Sequence, residues 1–218
     1  MKGIYKCLIC GEITEEPTHC GARAKPLLSS SSREKLSRLM SYLLRHNPGI
    51  VKLKMDKEGW VNIDELVNAI RSRWRRGSYS WVAREHILAV AALDPKGRFQ
   101  VEEDRIRTRY GHNRELKVQI KYEADGATKI LYHGTTAESL ESIMSQGIKP
   151  MSRAYVHLTT DPNDAYEVAA RHGAKIVILM IDADCLRKHG YHVLIATPKI
   201  RLAKYVPPQC ITIFKRQA

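Results

Sequence analysis

The sequence predicts an α+β protein: a small metal-binding segment, a helical lobe that ends in a hairpin, and a lobe of alternating short strands and helices. Three observations carry this. Cysteine and histidine cluster within the first 20 residues, and apolar residues then recur at helical spacing between residues 36 and 93. Beyond Tyr122-Glu123-Ala124-Asp125-Gly126-Ala127 the pattern changes to short apolar runs punctuated by glycine. The implied segments are 1–26, 33–121 and 128–218.

At 218 residues and 44% apolar content the chain is enough for one large domain or two small ones with real cores, and its composition is that of a globular protein. No run of about 18 apolar residues occurs. Met1-Lys2-Gly3-Ile4-Tyr5-Lys6 lacks the apolar core of a signal peptide. The expectation is a soluble, cytoplasmic protein with no membrane partner. The formal charge of +13 is uneven: residues 1–121 hold 24 Lys and Arg against 14 Asp and Glu, residues 122–218 hold 12 against 9. A surplus of this kind favours a polyanion, nucleic acid first, because Lys and Arg that neutralise phosphates release counterions. A solvated basic face is the plainer alternative.

In the first segment, Cys7-x-x-Cys10-Gly11 is half of a tetrahedral zinc site and His19-Cys20-Gly21 offers the other half. Cys7, Cys10 and Cys20 are the firm ligands, with His19 the fourth although it adjoins Cys20. A thioredoxin-type redox pair is the rival, without the strand-then-helix context it needs. So small a segment needs its metal to fold, and a closed site is structural. Cys185 and Cys210 sit in apolar surroundings and read as buried small hydrophobes rather than as a disulfide framework.

Residues 26–32 read as a linker that ends in a capping box, Ser31 with Glu34. The first helix follows, its core stripe Leu36, Leu39, Met40, Leu43 and Leu44. It must stop by Asn47-Pro48, which places Arg45 and His46 in its last turn, either as ordinary partners of the helix dipole or, with Arg38 on the same face, as a basic edge. Gly59-Trp60-Val61-Asn62 is extended, and Asn62 with Glu65 caps a second helix carrying Ile63, Leu66, Val67 and Ile70. Its end, Arg71-Ser72-Arg73-Trp74-Arg75-Arg76-Gly77, suits phosphate contact and base stacking, or is simply a solvated helix end. A third helix is expected over residues 80–93 with Ile87, Leu88 and Ala91 inward. Arg98-Phe99-Gln100-Val101 and Arg105-Ile106-Arg107-Thr108 flank the turn Glu102-Glu103-Asp104 as a hairpin. Three helices and a hairpin make a winged-helix unit. Gly111, in Tyr110-Gly111-His112-Asn113, marks a close backbone approach.

In the last lobe, residues 129–133, 155–159, 175–182, 191–196 and roughly 209–215 are strand-like. Pro198, Pro207 and Pro208 argue for loops and edges late in the chain. There is neither a G-x-G-x-x-G fingerprint nor a P-loop. The richest stretch is Leu131-Tyr132-His133-Gly134-Thr135-Thr136, a strand end where polar groups gather, with Thr136 as a helix N-cap ahead of Leu140, Ile143 and Met144. Here Gly134 would let a ligand approach the backbone, and His133 and Thr135 could hold its polar groups. By itself, an ordinary strand-to-helix turn explains it as well.

Four motifs in order, Leu43-Leu44-Arg45-His46, Ile106-Arg107-x-x-Tyr110-Gly111-His112, Tyr132-His133-Gly134-Thr135 and Arg153-x-x-Val156-His157-Leu158, resemble the RNA 2′-phosphotransferases. The resemblance spans about residues 33–218, and the zinc segment is like those of archaeal members. It implies a winged-helix-like lobe followed by an ADP-ribosyltransferase-like lobe that binds NAD+. By motif position it also implies Arg45, His46, Arg107 and Arg153 as the catalytic group, His133, Gly134 and Thr135 at the NAD+ site, and His112 as a phosphate contact. The implied reaction removes an internal 2′-phosphate from RNA, transfer RNA being the family's best-known substrate, through an ADP-ribosylated RNA intermediate. The products are 2′-hydroxyl RNA, nicotinamide and ADP-ribose 1″,2″-cyclic phosphate. No catalytic metal is implied, and self-contained lobes favour a monomer.

The chain departs from the family pattern at Tyr110 and Asn113, where Gln and Ser are common, at Thr159 in place of Ser, and at Thr197-Pro198-Lys199 in place of an Asn-Gly-Val-type turn. Two rival functions remain at this stage. One is an ADP-ribosyltransferase acting on a nucleic-acid terminal phosphate, against which Arg45, His46 and Arg107 argue. The other is a non-catalytic nucleic-acid-binding regulator.

Overall fold

The structure, a computed structural model, describes residues 1–75, 77–173 and 175–214. Arg76 and Lys215, which belong to the arginine cluster and the last expected strand, lie outside them. The chain divides into two compact units, Met1–Ile120 and Lys121–Ala218.

Unit 1 begins with β1 (Ile4–Lys6), β2 (Ile13–Thr14), β3 (Thr18–His19), β4 (Ala22–Arg23) and β5 (Lys25–Leu28). β1 pairs with both β2 and β5, and β3 with β4 forms a separate hairpin. Residues 25–28 are therefore strand rather than linker, with Pro26 opposite Tyr5. Because β5 runs almost directly into α1 (Ser30–Arg45), the N-cap is Ser29, not Ser31: its extended backbone lets the side chain accept from Ser32 N at 3.1 Å. Glu34 instead pairs with Arg38 at one-turn spacing. α1 buries all five expected stripe residues and stops at Arg45, with His46 as C-cap, before the 3-10 turn Pro48–Val51.

β6 (Val61–Asn62) leads into α2 (Ile63–Arg73), where the Asn62 side chain accepts from Asp64 N at 2.9 Å and Glu65 N at 3.0 Å, as its sequence position implies. α3 (Arg84–Ala92) starts later than expected, because a turn occupies residues 77–80 and Ala83 N donates to the His86 ring at 2.9 Å. Its buried residues are Ile87, Ala89 and Val90, with Leu88 and Ala91 at the margin of the core. β7 (Phe99–Glu102) and β8 (Arg105–Thr108) form the hairpin, turned at Glu103 with φ +50°, and β8 also pairs with β6. Leu36, Met40, Leu43, Leu44, Ile63, Leu66, Ile70, Ile87 and Ile106 make one core beneath these elements. Each such side chain contributes roughly 2 kcal/mol by leaving water.

Unit 2 is a seven-stranded antiparallel sheet. In chain order its elements are β9 (Glu123–Ala124), β10 (Ile130–Thr136), α4 (Ala137–Gln146), β11 (Val156–Thr159), α5 (Pro162–Ala169), β12 (Ile176–Asp182), α6 (Ala183–Lys188), β13 (Leu194–Ile195), β14 (Ile200–Ala203) and β15 (Ile211–Ile213). The strand order is β15-β12-β10-β11-β14-β13-β9. Strands β9 and β14 are additions to the expected five. Thr136 does occupy the α4 N-cap, without a side-chain cap bond, and Met144 on that helix is exposed.

Directly after β9, Asp125 is 4% exposed and accepts from Arg201, from Ala127 N and Thr128 N, and from the Thr128 hydroxyl. Burial alone would raise its pKa, yet those hydrogen bonds hold the carboxyl far below its usual range. Cys185 and Cys210 are corrected by the structure: they form a disulfide joining α6 to the 3-10 turn before β15. No helix among the described residues is long and apolar enough to cross a membrane.

Candidate active site

In unit 1 the end of α1 and the segment after β8 fold onto each other. Asn113 N donates to Arg45 O at 2.8 Å. Gly111 takes φ +89°, and a Cβ there would lie 3.1 Å from Arg45 Cζ, so only glycine lets the backbone pass so close to the guanidinium. Arg45 also lies over the Tyr110 ring, 4.6 Å from its centroid, a cation–π seat on a buried phenol. Burial pushes the Tyr110 hydroxyl up, which keeps it neutral.

His112 is 5% exposed and shares a 2.9 Å hydrogen bond with the Thr108 hydroxyl. Burial, reinforced by Arg45, Arg107 and His46, pushes its pKa down to about 4, so the ring is uncharged at neutral pH. Arg107 is fixed by Gln100 Oε1 at 2.9 Å and Glu58 O at 3.1 Å, and lies 4.3 Å from the Trp60 ring centroid. His112 thus feels the positive charge of Arg45, Arg107 and His46. Guanidinium groups anchored in this way, Arg45 on Tyr110 and Arg107 by Gln100 and Glu58, are suited to a dianionic phosphate.

In unit 2, His133 Nδ1 lies 3.0 Å from His157 O. A carbonyl can only accept, so Nδ1 carries the proton and Nε2 is left as an acceptor. Burial lowers the His133 pKa, which keeps this neutral tautomer. The exposed Arg153 guanidinium donates to His157 Nδ1, so that nitrogen is unprotonated. His133, His157 and Arg153 are therefore one network across β10, β11 and the turn before it. Gly134 has a reason of its own: a Cβ there would sit 2.0 Å from Ala165 O, so the bare strand lets α5 lie against β10. Thr135 is half-buried on the same strand.

Cys7, Cys10, His19 and Cys20 offer ligand atoms that all lie within 4.8 Å of one another. Cys20 Sγ is 3.6 Å from Cys10 Sγ and 3.3 Å from His19 Nδ1, and Cys10 Sγ is 3.5 Å from His19 Nδ1. Tetrahedral coordination at about 2.3 Å to sulfur and about 2.0 Å to nitrogen implies edges of roughly 3.5–3.8 Å, so the donors fit a metal. Adjacent ligands work here because Cys20, φ +51°, and Gly21, φ +73°, are the two left-handed residues of the tight β3–β4 turn. The Cys7 thiol is lowered to about 6, first by the Cys10 backbone, while that of Cys20 is pushed up to about 11, first by Cys10. A second group, Cys185, His189 and Cys210, also has ligand spacing, but its two sulfurs are spent on the disulfide.

A family model described as "RNA 2'-phosphotransferase, Tpt1 / KptA family" matches residues 31–204. The chain belongs to this RNA 2′-phosphotransferase family. Among its curated relatives, a "Probable RNA 2'-phosphotransferase" of Hyperthermus butylicus is 51% identical over 97% of this chain and 93% of that one. One of Pyrobaculum aerophilum is 46% identical over 97% and 95%, and one of Pyrococcus abyssi 49% over 84% and 96%. The RNA 2′-phosphotransferase match takes in the clusters of both units and leaves Cys7, Cys10, His19 and Cys20 before its first residue.

Sequence reasoning had missed Tyr110 as the seat of Arg45 and His157 as the hub between His133 and Arg153. Gly111 was the available signal for the first. For the second the Arg153-x-x-Val156-His157 spacing pointed to the Arg153 contact, while the bond to His133, 24 positions away, depends on the pairing of β10 with β11.

Proposed function

We propose that this RNA 2′-phosphotransferase removes an internal 2′-phosphate from RNA, with NAD+ as acceptor. The Arg45–Gly111–His112–Arg107 cluster, in a chain with this family membership, is the observation that carries the reading. In the first step a phosphate oxygen attacks the ribose carbon that bears nicotinamide, and the carbon–nitrogen bond breaks with its electron pair leaving on nicotinamide. In the second, the ribose 2-hydroxyl of the ADP-ribose attacks phosphorus. The bond to the RNA 2′-oxygen breaks, and that oxygen takes up a proton. Both steps need position and charge neutralisation more than acid–base chemistry.

Arg45 and Arg107 orient the phosphate oxygens, their guanidinium groups held by Tyr110 and by Gln100 with Trp60. His46, exposed at the α1 C-cap, contributes to charge stabilisation in the second step. Uncharged His112 gives or takes a hydrogen bond without adding charge. On the NAD+ side, His133 offers Nε2 to a hydroxyl, Thr135 adds a polar contact, Gly134 acts through the close packing of its strand, and Arg153 supplies positive charge. The four-ligand site takes zinc and is structural.

In this reading unit 1 is a winged-helix lobe behind a zinc segment and unit 2 an ADP-ribosyltransferase-like lobe, with functional segments 1–26, 33–121 and 128–218. The protein acts as a monomer, with transfer RNA as the natural substrate class. Incubation with NAD+ and an RNA carrying one internal 2′-phosphate should yield nicotinamide, ADP-ribose 1″,2″-cyclic phosphate and 2′-hydroxyl RNA. Arg45→Ala and His46→Ala should each lose turnover with their melting curves unchanged. NAD+ left unconsumed by wild-type protein would overturn the reading.

A further inference from the structure

Beside the α1 end lies an aromatic surface that the reaction above does not use. Tyr42 stands one helical turn before His46, with ring centroids 6.3 Å apart, and is 37% exposed. Tyr42 also meets Trp74, the C-cap of α2, with ring centroids 5.7 Å apart and tilted by 54°. Trp74 is half-buried and packed against the core. Arg75 lies 5.7 Å from the Trp74 ring, and Arg71 and Arg75 are exposed around it. Arg73 is spent locally, donating to Val51 O at 2.9 Å.

The geometry points to Tyr42 and Trp74 as a stacking platform for a nucleobase next to the nucleotide whose 2′-phosphate is held by Arg45 and Arg107, beside His46. This rests on the proposed RNA reaction and adds to it the surface that grips the flanking chain. Three features favour RNA over a peptide. Exposed ring faces take any base, the flanking arginines match a phosphodiester backbone, and the surrounding half of the chain carries 24 basic against 14 acidic residues. Tyr42 is exposed and Trp74 half-exposed, so aromatic surface stays open to solvent beside their mutual contact. The platform sits at helix ends whose backbone is tied down, with His46 N and Asn47 N both bonded to Tyr42 O and Trp74 N to Ala69 O. It is a positioning surface that touches no reacting atom.

The test is Tyr42→Ala, a change at an exposed helical site that favours helix, beside Tyr42→Phe, which keeps the ring and loses the hydroxyl. Each is assayed with a short RNA carrying one internal 2′-phosphate, and with the same RNA made abasic at the flanking nucleotides in turn. Tyr42→Ala should raise the KM for RNA by about tenfold, the size of one lost base stack, with the KM for NAD+ unmoved. Tyr42→Phe should behave as wild type. One abasic position should weaken wild type by a similar factor and weaken Tyr42→Ala no further. An unchanged KM in Tyr42→Ala, or losses that multiply at every abasic position, would overturn the platform while leaving the reaction intact. Should wild type fail to turn over, binding of the same oligonucleotide by fluorescence anisotropy still decides: equal affinity of wild type and Tyr42→Ala rejects the platform independently of the chemistry.

Discussion

His112 gives the chain a pH dependence whose sign can be worked out. Its folded pKa, about 4, lies below the ordinary 6.5, so the unfolded chain binds the proton more readily. Stability is full above about pH 6.5 and drains as the pH falls toward about 4, by roughly 3 kcal/mol. Urea unfolding of wild type and His112→Asn at several pH values should show a shallower fall in the variant over that window, and equal slopes would contradict the assignment. Gly134 makes a second prediction, since a methyl group there meets the α5 backbone. Gly134→Ala should cost about 3 kcal/mol or displace α5, readable as a lowered urea midpoint. At this scale Arg45, His46 and Gly111 were legible in the sequence because a helix end and a glycine are local signals. Tyr110 was not: that its ring carries Arg45 depends on a contact 65 positions away along the chain.

Among the elements, the N-terminal strands share the helical core through Ile4 and Leu28 and are tied to it by a buried cation as well. Arg33 on α1 is 2% exposed, donates to Lys2 O at 2.9 Å and to Leu93 O, and pairs with Glu15. Metal removal should therefore be felt beyond the first segment. A strong chelator should release one zinc per chain, make three thiols reactive under native conditions and lower the melting temperature. Metal analysis that finds no zinc, or thiols that react equally before and after chelation, would refute the site. Arg33→Met should cost about 2 kcal/mol by leaving the carbonyls of Lys2 and Leu93 without their donor, a lowered urea midpoint being the readout. The element types were readable because the α1 stripe, the Asn62 cap and the β7–β8 alternation are short-range patterns. Their edges were less so. Four consecutive serines leave the cap position to be decided by where β5 ends, and Ile200-Arg201-Leu202-Ala203 becomes a strand only because β11 and β13 flank it.

For the whole molecule, the charge surplus predicts how RNA binding answers to salt. The logarithm of the affinity should fall linearly with the logarithm of salt concentration, with a slope of about −0.7 for each phosphate neutralised on a single strand. A flat line would remove the polyanion reading of the +13 charge. The Cys185–Cys210 bond was hidden in the sequence because its partners are 25 positions apart, and apolar neighbours suit a buried thiol as well as a half-cystine. Reducing it should lower the unfolding free energy by about 3 kcal/mol, on a loop-closure argument. The same bond also makes a closed covalent ring of everything between its ends, including the exposed Lys188 and Lys199. A chain clipped once by trypsin after either lysine would still migrate as a single intact species on a denaturing gel, and would fall into two fragments only after dithiothreitol is added.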